Sequence, residues 1–132
     1  MEKKYSVAII GCGSRGRDAY GRLFVSRKEQ WEVVAICDVN EVNLNNAKEM
    51  FGLKGEACYK NEKEFFEAKR ADLLVIATQD KDHVRMAKQG LLLGYDILLE
   101  KPISKYRQEL EELVALQKKT GRKVMVCHVL RY

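Results

Sequence analysis

Tyr5-Ser6-Val7-Ala8-Ile9-Ile10-Gly11-Cys12-Gly13-Ser14-Arg15-Gly16 is the stretch whose reading decides the fold. Its first half is short, apolar and β-branched and stops at a glycine, which is the pattern of a buried strand. Its second half reads Gly-x-Gly-x-x-Gly, and Ala19, Tyr20, Leu23, Phe24 and Arg27 then recur at helical spacing. A strand, a glycine turn and a helix over residues 14–28 are therefore expected in that order. In such a context each glycine has a physical task. Gly11 permits the tight turn, Gly13 lets the main chain approach a pyrophosphate because it carries no Cβ, and Gly16 lets the helix pack close to the strand. The start of the helix adds unpaired N–H groups and the positive end of its dipole. Gly11, Gly13, Ser14, Arg15 and Gly16 are the candidate pyrophosphate-binding residues. Arg15 and Arg17 either flank that group or are solvated helix residues.

The next strand outward, Trp31–Cys37, ends in an acid, Asp38. A carboxylate at this point can accept hydrogen bonds from the ribose hydroxyls of a dinucleotide. The competing role is a cap for the following helix, Glu41–Phe51, for which Asn40 is the other candidate. An acid here, with Val39, Asn40 and Glu41 offering no cation after it, implies NAD rather than NADP. The extra 2′-phosphate of NADP would carry about −1.5 to −2 charge into the same space.

Farther along, the alternation continues. A short strand is expected at 57–59, a short helix at 61–69 with Asn61 as its cap, and a strand at 73–77. A helix at 80–93, a strand at 95–99, a helix at 104–120 and a last strand at 124–127 complete the set. The long helix 104–120 is expected to turn Leu110, Leu113, Val114 and Gln117 to one face. Gly52, Gly94 and Gly121 each close a helix just before a strand. Apolar strands alternating with helices define an α/β fold, a doubly wound parallel sheet of about six strands with helices on both faces.

The chain has 132 residues, 46% hydrophobic and 33% charged, which fits a single folded domain and excludes a disordered or collagen-like chain. A single proline, where average usage gives about seven, suits regular elements joined by glycine turns. No stretch approaches the roughly 18 apolar residues that span a membrane, and the N-terminus lacks the long apolar core of a secretory signal. The expected location is cytoplasmic. The four cysteines, Cys12, Cys37, Cys58 and Cys127, form no CxxC pair, so reduced, mostly buried thiols are expected and no metal site. The net charge of +5 suits an anionic ligand, but the Lys and Arg residues are scattered without aromatic interleaving, so nucleic acid is not an expected partner.

After the fifth strand comes Glu100-Lys101-Pro102. Taken with Val7-Ala8-Ile9-Ile10-Gly11-Cys12-Gly13, Ala77-Thr78 and His83, in that order, the chain resembles the N-terminal domain of the Gfo/Idh/MocA oxidoreductases along essentially its whole length. The resemblance implies a Rossmann domain that binds NAD and serves a dehydrogenase of a sugar, polyol or related carbinol. It places Lys101 near the nicotinamide and the reacting carbon, where it orients the substrate hydroxyl or helps to move its proton. It makes Thr78 and Glu100 cofactor contacts and sets Arg131 on the nicotinamide side. Thr78-Gln79-Asp80 departs from the family's Thr-Pro-Asn and leaves that turn less constrained. For Lys101 the alternative is a solvated lysine beside a turn proline. His83 is either a cap or a cofactor neighbour, and His128 either structural or a pocket residue. Pro102 is open to a cis bond.

Family members run well beyond twice this length. The resemblance thus implies that the substrate domain is absent from this chain, that the chain alone is inactive, and that the intact protein is a homo-oligomer. The competing reading from another class is a stand-alone NAD-sensing regulatory module. A methyltransferase-like enzyme is a weaker third, because it leaves Lys101 without a role.

Overall fold

The structure is a computed structural model in which residues 5–11, 30–77, 83–100 and 107–127 are described. Among the described residues six strands form one sheet: β1 (Tyr5–Ile10), β2 (Trp31–Cys37), β3 (Cys58–Tyr59), β4 (Leu73–Ile76), β5 (Asp96–Glu100) and β6 (Val124–Cys127). Their order is β3-β2-β1-β4-β5-β6 and every pairing is parallel. The chain therefore leaves β1 in one direction through β2 and β3, then crosses back to continue on its other side. The crevice at that reversal, beyond the carboxyl ends of β1 and β4, is where ligands bind in open sheets of this kind.

Alternate side chains of β1 feed two cores. Val7 and Ile9 join Val33, Leu73 and Val75 on one face, which Leu44 and Ala47 of helix α1 (Glu41–Phe51) cover. Ala8 and Ile10 join Leu74, Ile76, Ile97 and Leu99 on the other. That face is covered by Met86, Ala87 and Leu91 of a later helix (His83–Leu93) and by Leu113 of another (Arg107–Thr120). The expected doubly wound sheet, with helices on both faces, is the one observed. The later helix lies close on the sheet, since a Cβ at Gly90 would sit 2.7 Å from Ile97 Cδ1.

The helix ends follow the residues expected of them. Asn40 caps α1, and Gly52, Gly94 and Gly121 take left-handed φ of +66°, +95° and +71°. Two expectations need correction. The helix placed at 61–69 is one turn only, α2 (Glu62–Phe65). Arg70 ends it from outside: its guanidinium donates to the carbonyls of Glu64 and Phe65, at 2.9 and 3.3 Å, and lies over the Tyr59 ring. With those two carbonyls satisfied by Arg70, α2 has no need of a further turn. Helices α3 (His83–Leu93) and α4 (Arg107–Thr120) follow. On α4, Leu113 is buried and Leu116 packs beside it, while Val114 is 49% exposed. A stripe through 113 and 116 leaves 114 about 100° round from 113, toward solvent.

β2 carries one irregularity. Val7 pairs with Val33 but Ala8 pairs with Ala35, so Val34 is an extra residue in the ladder. Val34 and Ala35 consequently pack toward the same core. Such a bulge absorbs one residue without losing the pairing on either side.

Candidate functional site at the sheet reversal

Main-chain hydrogen bonds assemble the site. Gly11, buried and with φ +93°, donates its N–H to the Cys37 carbonyl at 2.8 Å. That φ strains any side chain bearing a Cβ, so the glycine is required where the chain turns off β1. Asp38 N donates to Tyr59 O at 3.0 Å, and Ala77 N to Ile10 O at 2.9 Å. The exits of β1, β2, β3 and β4 are thereby tied together, and Asp38 is the residue next to the one that Gly11 grips.

Asp38 is half-buried, and its Oδ1 accepts the Asn40 N–H at 2.8 Å, closing a turn. The helix cap belongs to Asn40, whose Oδ1 accepts from Asn43 N at 3.1 Å. The two roles weighed for Asp38 therefore part: the cap lies two residues on, and the acid stays at the strand end. Behind it, Cys37 is buried and its thiol is pushed up to about 12, first by burial and then by the negative charges of Asp38 and Glu62. It is a neutral packing group at physiological pH. Cys58 is a half-buried free thiol, also pushed up by burial.

Sequence reasoning missed one group here. Lys60, just past β3, pairs its Nζ with Glu41 Oε1 at 2.8 Å. The hydrogen bond from Lys60 holds the Glu41 carboxyl below its usual range. Glu41 opens α1 and Lys60 follows β3, so only the β2–β3 pairing brings them together; nothing in the local sequence announces it.

The other candidates divide plainly. Glu100 ends β5 and its main chain pairs with Cys127 of β6; its side chain lies outside the described residues. So do Gly13, Ser14, Arg15, Gly16, Arg17, Thr78, Lys101, Pro102, His128 and Arg131, the side chain of His83 and the expected helix 14–28. Ala77 and Glu100 are the last described residues before Thr78 and Lys101, and both stand at the carboxyl edge. A shallow hollow of about 420 Å³ on α4, lined by Leu110, Val114 and Lys118 among others, shares no residue with this crevice.

The part of the site described fits a dinucleotide. A positive-φ glycine opens the turn, main-chain bonds tie the strand exits together, and an acid stands at the neighbouring strand end. A parallel sheet with these features at its reversal defines a dinucleotide-binding domain. More narrowly, the chain belongs to the oxidoreductase family with an NAD-binding Rossmann fold, the Gfo/Idh/MocA family, whose model matches residues 5–128. NAD is the cofactor of that family domain.

Among curated relatives, the chain is 27% identical to a D-apiose dehydrogenase of Paraburkholderia graminis, across 98% of this chain and 34% of that protein. It is 32% identical to a glycosyl hydrolase family 109 protein of Streptomyces filamentosus, across 90% of this chain and 25% of that one. Among solved structures it is similar to myo-inositol 2-dehydrogenase from Lactobacillus plantarum, with a TM-score of 0.84 and 25% identity, across 95% of this chain and 36% of that one. The chain thus spans about a third or less of the length of these proteins. Neither the family nor these relatives supports the stand-alone sensing module. Among the described residues no helix is long and apolar enough to cross a membrane.

Proposed function

We propose that this chain is the cofactor-binding part of an NAD-dependent oxidoreductase that acts on a carbinol of a sugar, a polyol or a related compound. The observation that carries this reading is the Gly11–Cys37 hydrogen bond, which sets the glycine turn beside Asp38 at the sheet reversal. Gly11, its N–H held by the Cys37 carbonyl, turns the chain beside the pyrophosphate, and Gly13, Ser14, Arg15 and Gly16 hold that group with main-chain N–H groups and the helix start. Asp38 accepts from the ribose hydroxyls and selects NAD over NADP. Thr78 and Glu100 line the nicotinamide side. Lys101, next after β5, orients the substrate hydroxyl and helps to move its proton. Bound NAD supplies the hydride acceptor, and the protein supplies orientation and electrostatics.

The substrate pocket belongs to sequence outside residues 1–132, in a protein that works in the cytoplasm as a homo-oligomer. Positioning of substrate supplies a large part of rate enhancement in such reactions. Residues 1–132 alone therefore bind NADH and turn over nothing. The likeness to a glycosyl hydrolase family 109 protein keeps glycosides among the sugars to be tried. The test is calorimetry with NADH, then NAD reduction with a panel of sugars and polyols. Binding without turnover by residues 1–132 is the expected result. Absence of NADH binding at millimolar concentration by folded protein would leave the glycine stretch a mere turn, and steady turnover would remove the need for a further domain.

A further inference from the structure

We propose that Glu41 is a determinant of cofactor choice, because it cancels the charge of Lys60, the cation that the β2–β3 pairing carries to the adenosine end of the site. The inference rests on the reading of the crevice as an NAD site and goes beyond Asp38. The Asp38 N–H is bonded to the Tyr59 carbonyl, so Lys60, the next residue, leaves β3 beside the acid. Glu41 lies three residues beyond Asp38, at the first turn of α1, and meets Lys60 Nζ at 2.8 Å.

NADP sites commonly place a cation where this chain has Asp38-Val39-Asn40. Here the cation comes instead from the neighbouring strand, and it comes already paired. The two side chains are 65% and 66% exposed, so the pair is no rigid lock. What it does is hold the local charge down: Asp38, Glu41 and Lys60 together bring two carboxylates and one ammonium to this strand end. With Glu41 neutral, Lys60 loses its ion-pair partner and is released to meet a phosphate. The hydrogen bond from Lys60 lowers the Glu41 pKa, which favours its carboxylate form.

The test is paired titration of the full chain with NADH and NADPH, read as the ratio of the two affinities. Glu41→Gln is expected to lower the preference for NADH about three- to tenfold, in line with removal of one screened unit charge near a phosphate. In an Asp38→Asn background the same change should again favour NADPH, and adding Lys60→Gln should erase that gain. Glu112→Gln breaks an equally short exposed pair, with Lys88 on α3, and serves as the control that leaves the ratio unmoved. An unmoved ratio in Glu41→Gln, or a gain that survives Lys60→Gln, would overturn the proposal while leaving the NAD site standing. Failure of the native chain to bind NADH would bring down both.

Discussion

The two ends of the sheet are built differently. At the amino ends of the strands, side chains fasten main chain. Ser6 donates to Asp72 Oδ2 through both N–H and hydroxyl, at 3.1 and 3.2 Å, and Asp72 N returns a bond to Ser6 Oγ at 3.0 Å. The buried Tyr95 hydroxyl accepts from Arg70 N at 2.6 Å, and Asp96 Oδ1 accepts from Lys123 N at 3.0 Å. At the carboxyl ends the strand exits are joined main chain to main chain, through Gly11–Cys37, Asp38–Tyr59 and Ala77–Ile10. Among the described residues, side chains fasten main chain at one end, whereas at the other the strand exits are joined by backbone bonds and Asp38 keeps its carboxylate at the strand end, bonded to the Asn40 N–H. A residue's end of the sheet therefore forecasts whether its loss is felt as folding or as binding.

The largest effect that would break this contrast is expected at the carboxyl end. Gly13→Val should lower NADH affinity at least about a hundredfold, because a branched Cβ fills the space the pyrophosphate needs. Its thermal midpoint should stay close to that of the native chain; a collapse of Tm would make the glycine turn a folding element instead. Next comes Asp72→Ala at the amino end. It removes the acceptor of two hydrogen bonds and should cost about 2 kcal/mol in chemical denaturation. NADH affinity of the folded variant should hold within about twofold, and calorimetry checks it.

A smaller shift belongs to Asp38→Ala, which should narrow the preference for NADH over NADPH about tenfold, or about 1.4 kcal/mol. Its denaturation midpoint should barely move. Equal affinities in the native chain would mean that Asp38 serves only the turn it closes with Asn40.

The smallest effect sharpens the contrast inside the carboxyl end itself, where buried Cys37 adjoins Asp38. The thiol's ordinary value of 9.0 is raised in the folded chain to about 12. The unfolded chain therefore loses this proton first, so the stability is fully present below about pH 9 and is lost as pH rises toward 12. Denaturation at pH 8 and pH 10 should show a steeper decline in the native chain than in Cys37→Ala. Equal declines would point to other groups as the source of the alkaline loss.

Much of this was legible in the sequence because it depends on near neighbours. Tyr5–Ile10, Trp31–Cys37 and Val124–Cys127 are strands as their apolar, β-branched runs require, and Asn40 and Asn61 cap as asparagines do. What the sequence hid depends on groups that only folding brings together. Arg70 stops α2 by reaching back to its carbonyls, and the Tyr59 ring it covers comes from a different element. Val114 fits an apolar stripe by its type but not by its angle, since Leu116 takes the inner place. In the candidate site, Gly11 and Asp38 could be read from a motif, whereas the Glu41–Lys60 pair needs the β2–β3 register to exist at all.

The extra residue in β2 bears on how such motifs are counted. A ladder of paired strands keeps account of partners, not of residues: Ile10 stands opposite Cys37 although one strand has spent a residue more than the other to get there. The interval between a glycine turn and its acid is accordingly elastic in chain length while fixed in space. A search that demanded one set interval would be measuring the string, when the architecture constrains only where the two knots meet.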